Sequence, residues 1–214
     1  MSWTMFNLDG QRKYLTQSET RRFLEEARRD DPSVHAFCWL IAVTGCRISE
    51  ALALTPANID FEERIIVFES LKKRRRHVYR SIPVPAGMLQ SLRNLLRMGR
   101  FRDGERIWGW SRMTGYRRIR EVMERARLNG THASPKGLRH AFGVSAIQSG
   151  VPLNMVQRWL GHADMKTTAI YTSAIGPEER DIAARMWGRA FEFHDRRGAV
   201  PAERGAHMRE RAQG

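Results

Sequence analysis

Apolar residues recur at helical spacing over most of the chain and switch to strict alternation in one stretch, between Asn58 and Val84. A first helix opens at Leu15 and Thr16: Thr16 and Glu19 have capping-box spacing, and Leu15, Phe23, Leu24 and Ala27 supply an apolar stripe. Asp30, Asp31 and Pro32 end it and start a second helix over about residues 33–43 (SVHAFCWLIAV), apolar on most sides and therefore central. Thr44-Gly45 breaks the chain, and RISEALAL resumes as a helix up to Pro56, which puts Arg47 at a helix start. The alternating stretch reads as two short strands in IDFEERIIVFES around a Glu62-Glu63 turn, with a third in HVYRSIPV after the basic run 72–76.

Pro85 begins another helix (AGMLQSLRNLLRM), and FRDGERIWGW reads as a loop. Residues 112 to about 128 are helical, with Tyr116, Ile119, Val122, Met123 and Ala126 on one side, and Asn129-Gly130 stops them. Helices over about 136–148 and 152–160 follow, the second ended by Gly161. Asp164 caps a short helix carrying Tyr171. Gly176-Pro177 precedes an amphipathic helix, EERDIAARMWGRAFEF, and the Arg/Gly/Ala-rich stretch from about Arg196 reads as disordered. The predicted fold class is mainly α with a small antiparallel β-sheet (α+β), without internal repeats. It divides into a polar arm (1–14), one domain (15–180), a C-terminal helix (181–195) and a basic tail (196–214).

A chain of 214 residues can bury one substantial core but is short for two full domains. Its 37 Lys+Arg against 23 Asp+Glu give a formal net charge of +14, which points to a polyanionic partner, nucleic acid first. Lysines stand only at 13, 72, 73, 136 and 166, so most of that charge is guanidinium, which grips phosphate in a bidentate fork. A GC-rich genome accounts for part of the arginine bias, but the sign of the charge survives that discount. Cys38 and Cys46 lack zinc-site spacing and read as reduced core residues. The N-terminus lacks the pattern of a signal peptide, and no apolar run approaches the roughly 18 residues of a membrane helix. A cytoplasmic, nucleoid-associated protein without a membrane partner is expected.

Five residues in three segments suggest chemistry: Arg47 in TGCRISEAL, Lys136 and Arg139 in SPKGLRHAF, and His162 and Tyr171 in WLGHADMKTTAIYT. Singly, each has an ordinary role: a surface arginine, a histidine closing a helix, a half-buried aromatic. Together they suit phosphoryl transfer, in which cations must neutralise charge growing on the non-bridging oxygens as a nucleophile attacks. In this order the set resembles the tyrosine recombinase (phage integrase) family over roughly residues 15–180: an arginine, a lysine on a strand turn, His-or-Lys-x-x-Arg, Leu-Gly-His, and a tyrosine nine residues on.

The resemblance implies that Arg47 and Arg139 clamp the scissile phosphate, that His162 hydrogen-bonds it, and that Tyr171 attacks phosphorus to form a 3′-phosphotyrosine with release of a 5′-hydroxyl. Lys136 stands where the family usually has histidine, so its role as base or assistant is open; an ammonium must lose its proton before it can accept one. The acid that protonates the leaving oxygen is expected in ESLKKRRRHVYRS, at Lys72, with Lys73 a close second and residues 74–77 a basic loop on the DNA backbone. His140 reads as a structural hydrogen-bonding group or a helper in the site, and Glu50 as a group orienting Arg47. Arg112, Arg117, Arg118 and Arg120 are candidates for base reading or a solvated basic face. No acidic triad or phosphate-binding glycine loop stands out, so neither metal nor nucleotide cofactor is expected.

The core starts near Leu15, which implies a compact form without the family's N-terminal clamping domain, similar to the fimbrial-switch invertases. The implied partners are double-stranded DNA with short inverted or direct repeats, a homo-tetramer assembled on it, and DNA-bending accessory proteins. The apolar face of Ile182, Ala183, Met186, Trp187 and Phe191 either packs on its own core or docks on a neighbouring protomer. The alternatives are a topoisomerase-like nicking and resealing enzyme, and a non-catalytic DNA-binding accessory factor.

Overall fold

The computed structural model describes residues 4–70, 78–99, 101–102 and 104–173. In chain order these residues form α1 (Gln17–Ala27), α2 (Pro32–Thr44), α3 (Ile48–Leu52), a 3₁₀ turn (Pro56–Asn58), β1 (Ile59–Asp60), β2 (Ile65–Glu69) and β3 (Tyr79–Pro83). They continue with α4 (Ala86–Met98), α5 (Arg112–Arg125), α6 (Pro135–Gln148), α7 (Leu153–Leu160), α8 (Lys166–Ala169) and a second 3₁₀ turn (Ile170–Ser173).

The expected caps are in place. The Thr16 hydroxyl accepts from the Glu19 N–H, and the Glu19 carboxylate accepts from the Thr16 N–H at 2.8 Å. Asp31 caps α2 through the Ser33 N–H, and Gly45 ends it in the left-handed region at φ 60°. Between them Ala36, Phe37, Cys38, Leu40 and Ile41 are fully buried, because α2 packs against α1, α4, α5 and α6. This is the central helix that its all-round apolar sequence requires.

The three strands form an antiparallel sheet in the order β1-β2-β3, with Ile59 opposite Ile66, Ile66 opposite Ile82 and Phe68 opposite Arg80. Asp60 accepts from the Glu62 and Glu63 N–H groups, so the turn lies where the sequence puts it. The face carrying Ile66, Phe68 and Ile82 covers the core. Arg80 shares that face, with its guanidinium 5.2 Å from the Phe68 ring centroid.

Three expectations change. α3 ends at Leu52 and not at Pro56: Leu54 turns into the core, its carbonyl accepts from the Ile107 N–H at 2.9 Å, and Thr55 is extended ahead of the proline. Tyr116 leaves the packed side of α5 and is exposed, since it borders the cleft described below. The N-terminal arm is not simply polar. Phe6 bridges Arg12 across a turn, and Met5 is buried in a second apolar cluster with Val144, Ala146, Val156, Leu160 and Tyr171. Lys72, Lys73, the loop 74–77, the helix over 181–195 and the tail over 196–214 lie outside the described residues.

Candidate active site

The turn after α2 sets the position of Arg47. A Cβ on Gly45 would stand 2.7 Å from Phe142, so this left-handed turn takes glycine on both conformational and steric grounds. Arg47 then begins α3: its N–H donates to Glu50 Oε2 at 2.8 Å and its Nη1 to Oε1 at 2.7 Å. Glu50, 2% exposed, accepts from Arg80 as well, at 2.7 Å from Nη2 and 3.3 Å from Nη1. Arg80 Nε donates in turn to the Trp159 carbonyl at 2.7 Å, tying β3 to α7. Burial alone would raise the Glu50 pKa. The charge and hydrogen bonds of Arg80, and then those of Arg47, outweigh burial and hold the carboxyl below its ordinary value.

Arg139 lies on α6, which Ser134 caps through the Gly137 N–H. Its Nη1 donates to the Gly45 carbonyl at 2.6 Å and its Nη2 to the Leu160 carbonyl at 2.5 Å, so one guanidinium joins the ends of α2 and α7. Those bonds use two of its five N–H donors. Burial and then the neighbouring Arg47 charge pull its pKa down to about 10, which leaves it charged near neutral pH.

Gly161 closes α7 at φ 63°, and the next residue is His162. The Nδ1 of His162 lies 3.0 Å from the Thr168 hydroxyl, and its ring stacks on Tyr171 at 18° with centroids 6.3 Å apart. Tyr171 itself is 1% exposed. Its ring lies against Gly143, where a Cβ would come within 2.5 Å of Cζ, and its hydroxyl is hydrogen-bonded to His140 Nδ1 at 3.2 Å. Burial pushes the phenol up to about 12, partly offset by the charges of Arg139 and Arg47.

Arg47, Lys136, Arg139, His162 and Tyr171 line one cleft of about 510 Å³ together with His140. Five of the six expected site residues therefore meet, and the sixth, Lys72, falls outside the described residues. Of the four candidate base-reading arginines on α5, Arg112 reaches the cleft; Arg117 and Arg118 pair with Glu121, and Arg120 bonds the Ala133 carbonyl and pairs with Glu124. Arg80 was missed. It falls in phase with Ile82 in HVYRSIPV, and an arginine on the inward phase of a strand signals a buried anion opposite it. No group of three or more His, Cys, Asp or Glu side chains able to hold a metal occurs among the described residues. A cationic cleft with the Tyr171 phenol set among its cations is suited to an anionic ester and its transesterification.

The model of the Phage integrase family matches residues 13–175. The chain belongs to the phage integrase family, the tyrosine recombinases. Tyrosine recombinase XerA of Pyrococcus furiosus is 28% identical over 179 residues, which cover 81% of this chain and 61% of that protein. Tyrosine recombinase XerD of Neisseria meningitidis is 32% identical over 168 residues, covering 74% of this chain and 57% of that one. Among solved structures, the crystal structure of XerA recombinase superposes with a TM-score of 0.70 at 26% identity, over 81% of this chain and 64% of that chain. A XerH recombinase bound to its difH substrate in a post-cleavage complex shares the fold, with a TM-score of 0.71 at 22% identity over 82% of this chain and 53% of that chain. The chain thus spans less than two thirds of the length of these relatives.

Proposed function

We propose that this chain is the catalytic core of a site-specific DNA recombinase that cuts and rejoins duplex DNA through a 3′-phosphotyrosine. The observation that carries the reading is the convergence of Arg47, Arg139, His162 and Tyr171 on one cleft from three separate segments of a chain with net charge +14. Arg47 and Arg139 clamp the two non-bridging oxygens, with Arg47 aimed by Glu50 and Arg139 by two carbonyls. His162, oriented by Thr168, donates to the same phosphate, and Lys136 adds charge at the cleft mouth. Tyr171 is the nucleophile, and Lys72, or Lys73 beside it, protonates the leaving 5′-oxygen. Residues 15–180 form the catalytic domain, the arm packs on it through Met5, 181–195 link protomers of a tetramer, and the tail 196–214 adds salt-dependent affinity for DNA backbone.

The DNA complexes of proteins that share this fold support duplex DNA as the substrate; short inverted or direct repeats as its sites and bending proteins as helpers complete the proposal. No helix among the described residues is long and apolar enough to cross a membrane, which is compatible with action on the nucleoid in the cytoplasm. The test is covalent trapping on a duplex that the chain selects from a randomised pool, nicked beside the cut so that rejoining fails. The wild type should form a denaturation-resistant protein–DNA adduct, and Tyr171→Phe should form none. Recombinant products from two sites separate strand exchange from mere relaxation. An adduct that survives Tyr171→Phe would refute the assignment.

A further inference from the structure

His140 lines the cleft, and the reading above leaves it without a task. It lies one helical turn beyond Lys136 on α6, on the same face. Its ring is 3% exposed and packs edge-on to Tyr171, with centroids 5.8 Å apart. Its Nδ1 meets the Tyr171 hydroxyl at 3.2 Å, and its Nε2 is buried with no hydrogen-bond partner among the described residues. Lys136, which holds the position the family usually gives to histidine, is exposed.

We propose that His140 is a catalytic residue of strand cleavage, whose Nδ1 accepts the phenolic proton of Tyr171 as the phenolic oxygen bonds to phosphorus. This rests on the strand-exchange reading and assigns the proton that reading leaves unplaced. A neutral imidazole has one N–H. Whichever nitrogen carries it, one buried donor and one buried acceptor of the His140–Tyr171 pair go unmatched, so counting does not choose the tautomer. Strength does: the phenol O–H is the more acidic donor and the imidazole nitrogen the better acceptor, so the proton lies on Tyr171 and points at Nδ1.

The groups facing His140 are Lys136 and Arg139 on its own helix, Lys13 from the arm, and Tyr171 with His162 stacked beyond it. Burial, and then these three cations, push its pKa down to about 4, so the ring is neutral and able to accept near neutral pH. Such a ring is a weak base in the empty cleft. A phosphodiester seated between Arg47 and Arg139 offsets the cations and raises its proton affinity. Bonding to phosphorus makes the phenolic proton far more acidic at the same time. In the balanced step the Tyr171 O–P bond forms while the P–O5′ bond breaks. The phenolic proton moves to His140, and the departing oxygen takes its proton from Lys72. Rejoining runs the same transfers backwards.

The experiment uses the full chain and the nicked duplex described above. His140→Asn keeps a hydrogen-bonding atom near the Nδ1 position but cannot serve as the base. Its adduct formation near neutral pH should be slower by about 10²–10⁴-fold, the usual worth of general base catalysis, with duplex affinity unchanged. The deficit should shrink as the pH rises, because hydroxide can remove the proton instead. A wild-type rate in His140→Asn, or a deficit independent of pH, would overturn the proposal. Nitrogen-15 NMR of the wild type supplies a check that needs no variant: Nδ1 should be unprotonated, and a protonated Nδ1 would also overturn the proposal. If His140→Asn does not fold, the tautomer decides. A wild type that forms no adduct refutes the strand-exchange reading itself, and this one with it.

Discussion

Glu50→Gln is the sharpest test of how the clamp is built. The carboxylate accepts from the Arg47 N–H and Nη1 and from both terminal nitrogens of Arg80. Glutamine fills the same volume but offers one acceptor oxygen, and turns its NH₂ toward guanidinium donors. The Arg80 side chain is 6% exposed, so it is left as a buried cation without its counterion, whereas the Arg47 side chain is 35% exposed and water screens its share. Removing one member of a buried pair costs about 3–5 kcal/mol, a large part of the roughly 5–15 kcal/mol that holds a domain folded. Urea unfolding should show a loss of that size. Glu50→Gln combined with Arg80→Met removes both charges and should be far less destabilised than the sum of the two single variants. The pH dependence has a defined sign: the folded carboxyl titrates below its unfolded value of about 4.3, so its contribution is complete above that value and is lost as the pH falls through the folded one. Glu50→Gln should lack this component. A loss under about 1 kcal/mol, as for an exposed pair, or simple additivity in the double variant, would refute the reasoning.

Gly143→Ala puts a methyl within 2.5 Å of the Tyr171 ring; overpacking of about 1–3 kcal/mol exceeds the gain of up to about 1 kcal/mol from helical alanine. The Tyr171 phenol should then titrate closer to an ordinary tyrosine than to about 12, read by phenolate absorbance. Acid should destabilise the chain in two stages. His140, pushed down to about 4 by burial and then by Lys136, Arg139 and Lys13, lets the unfolded state bind a proton first as the pH falls below about 6.5, so stability drops across that window and His140→Asn should flatten it. Glu19, held at about 2 chiefly by its hydrogen bond to Arg12, loses its contribution at lower pH, and Glu19→Gln should remove that later fall in the urea midpoint. Burial pushes the Cys46 thiol up to about 12 and raises that of Cys38 as well, so thiol reagents should label neither cysteine until the chain unfolds.

What was legible in the sequence was whatever short-range physics decides. Thr16 with Glu19 marked the start of α1, the all-apolar SVHAFCWLIAV marked the buried α2, and the alternation around Glu62 and Glu63 marked the sheet. The site was legible only as an ordered set of residue types; that Arg47, Arg139, His162 and Tyr171 face one another depends on helices far apart in the chain. The failures share that cause. Leu54 left its helix because Ile107 claimed its carbonyl, and Met5 is buried because α6 and α7 leave an apolar hollow beside Tyr171. Tyr116 has helical spacing in phase with Ile119 and Met123, yet the neighbour that would cover it is replaced by the cleft.

The burial of Tyr171 bears on safety as much as on rate. On the strand-exchange reading, a protein with net charge +14 clings to any duplex it meets, and salt-weakened contacts with backbone do not discriminate one stretch from another. With its hydroxyl turned inward against His140 and its ring pinned on Gly143, the tyrosine is out of reach of such chance encounters. On the strand-exchange reading such a chain passes along a chromosome without nicking it, and breakage waits until a phosphodiester is seated in the cleft deeply enough to meet the hydroxyl where His140 holds it.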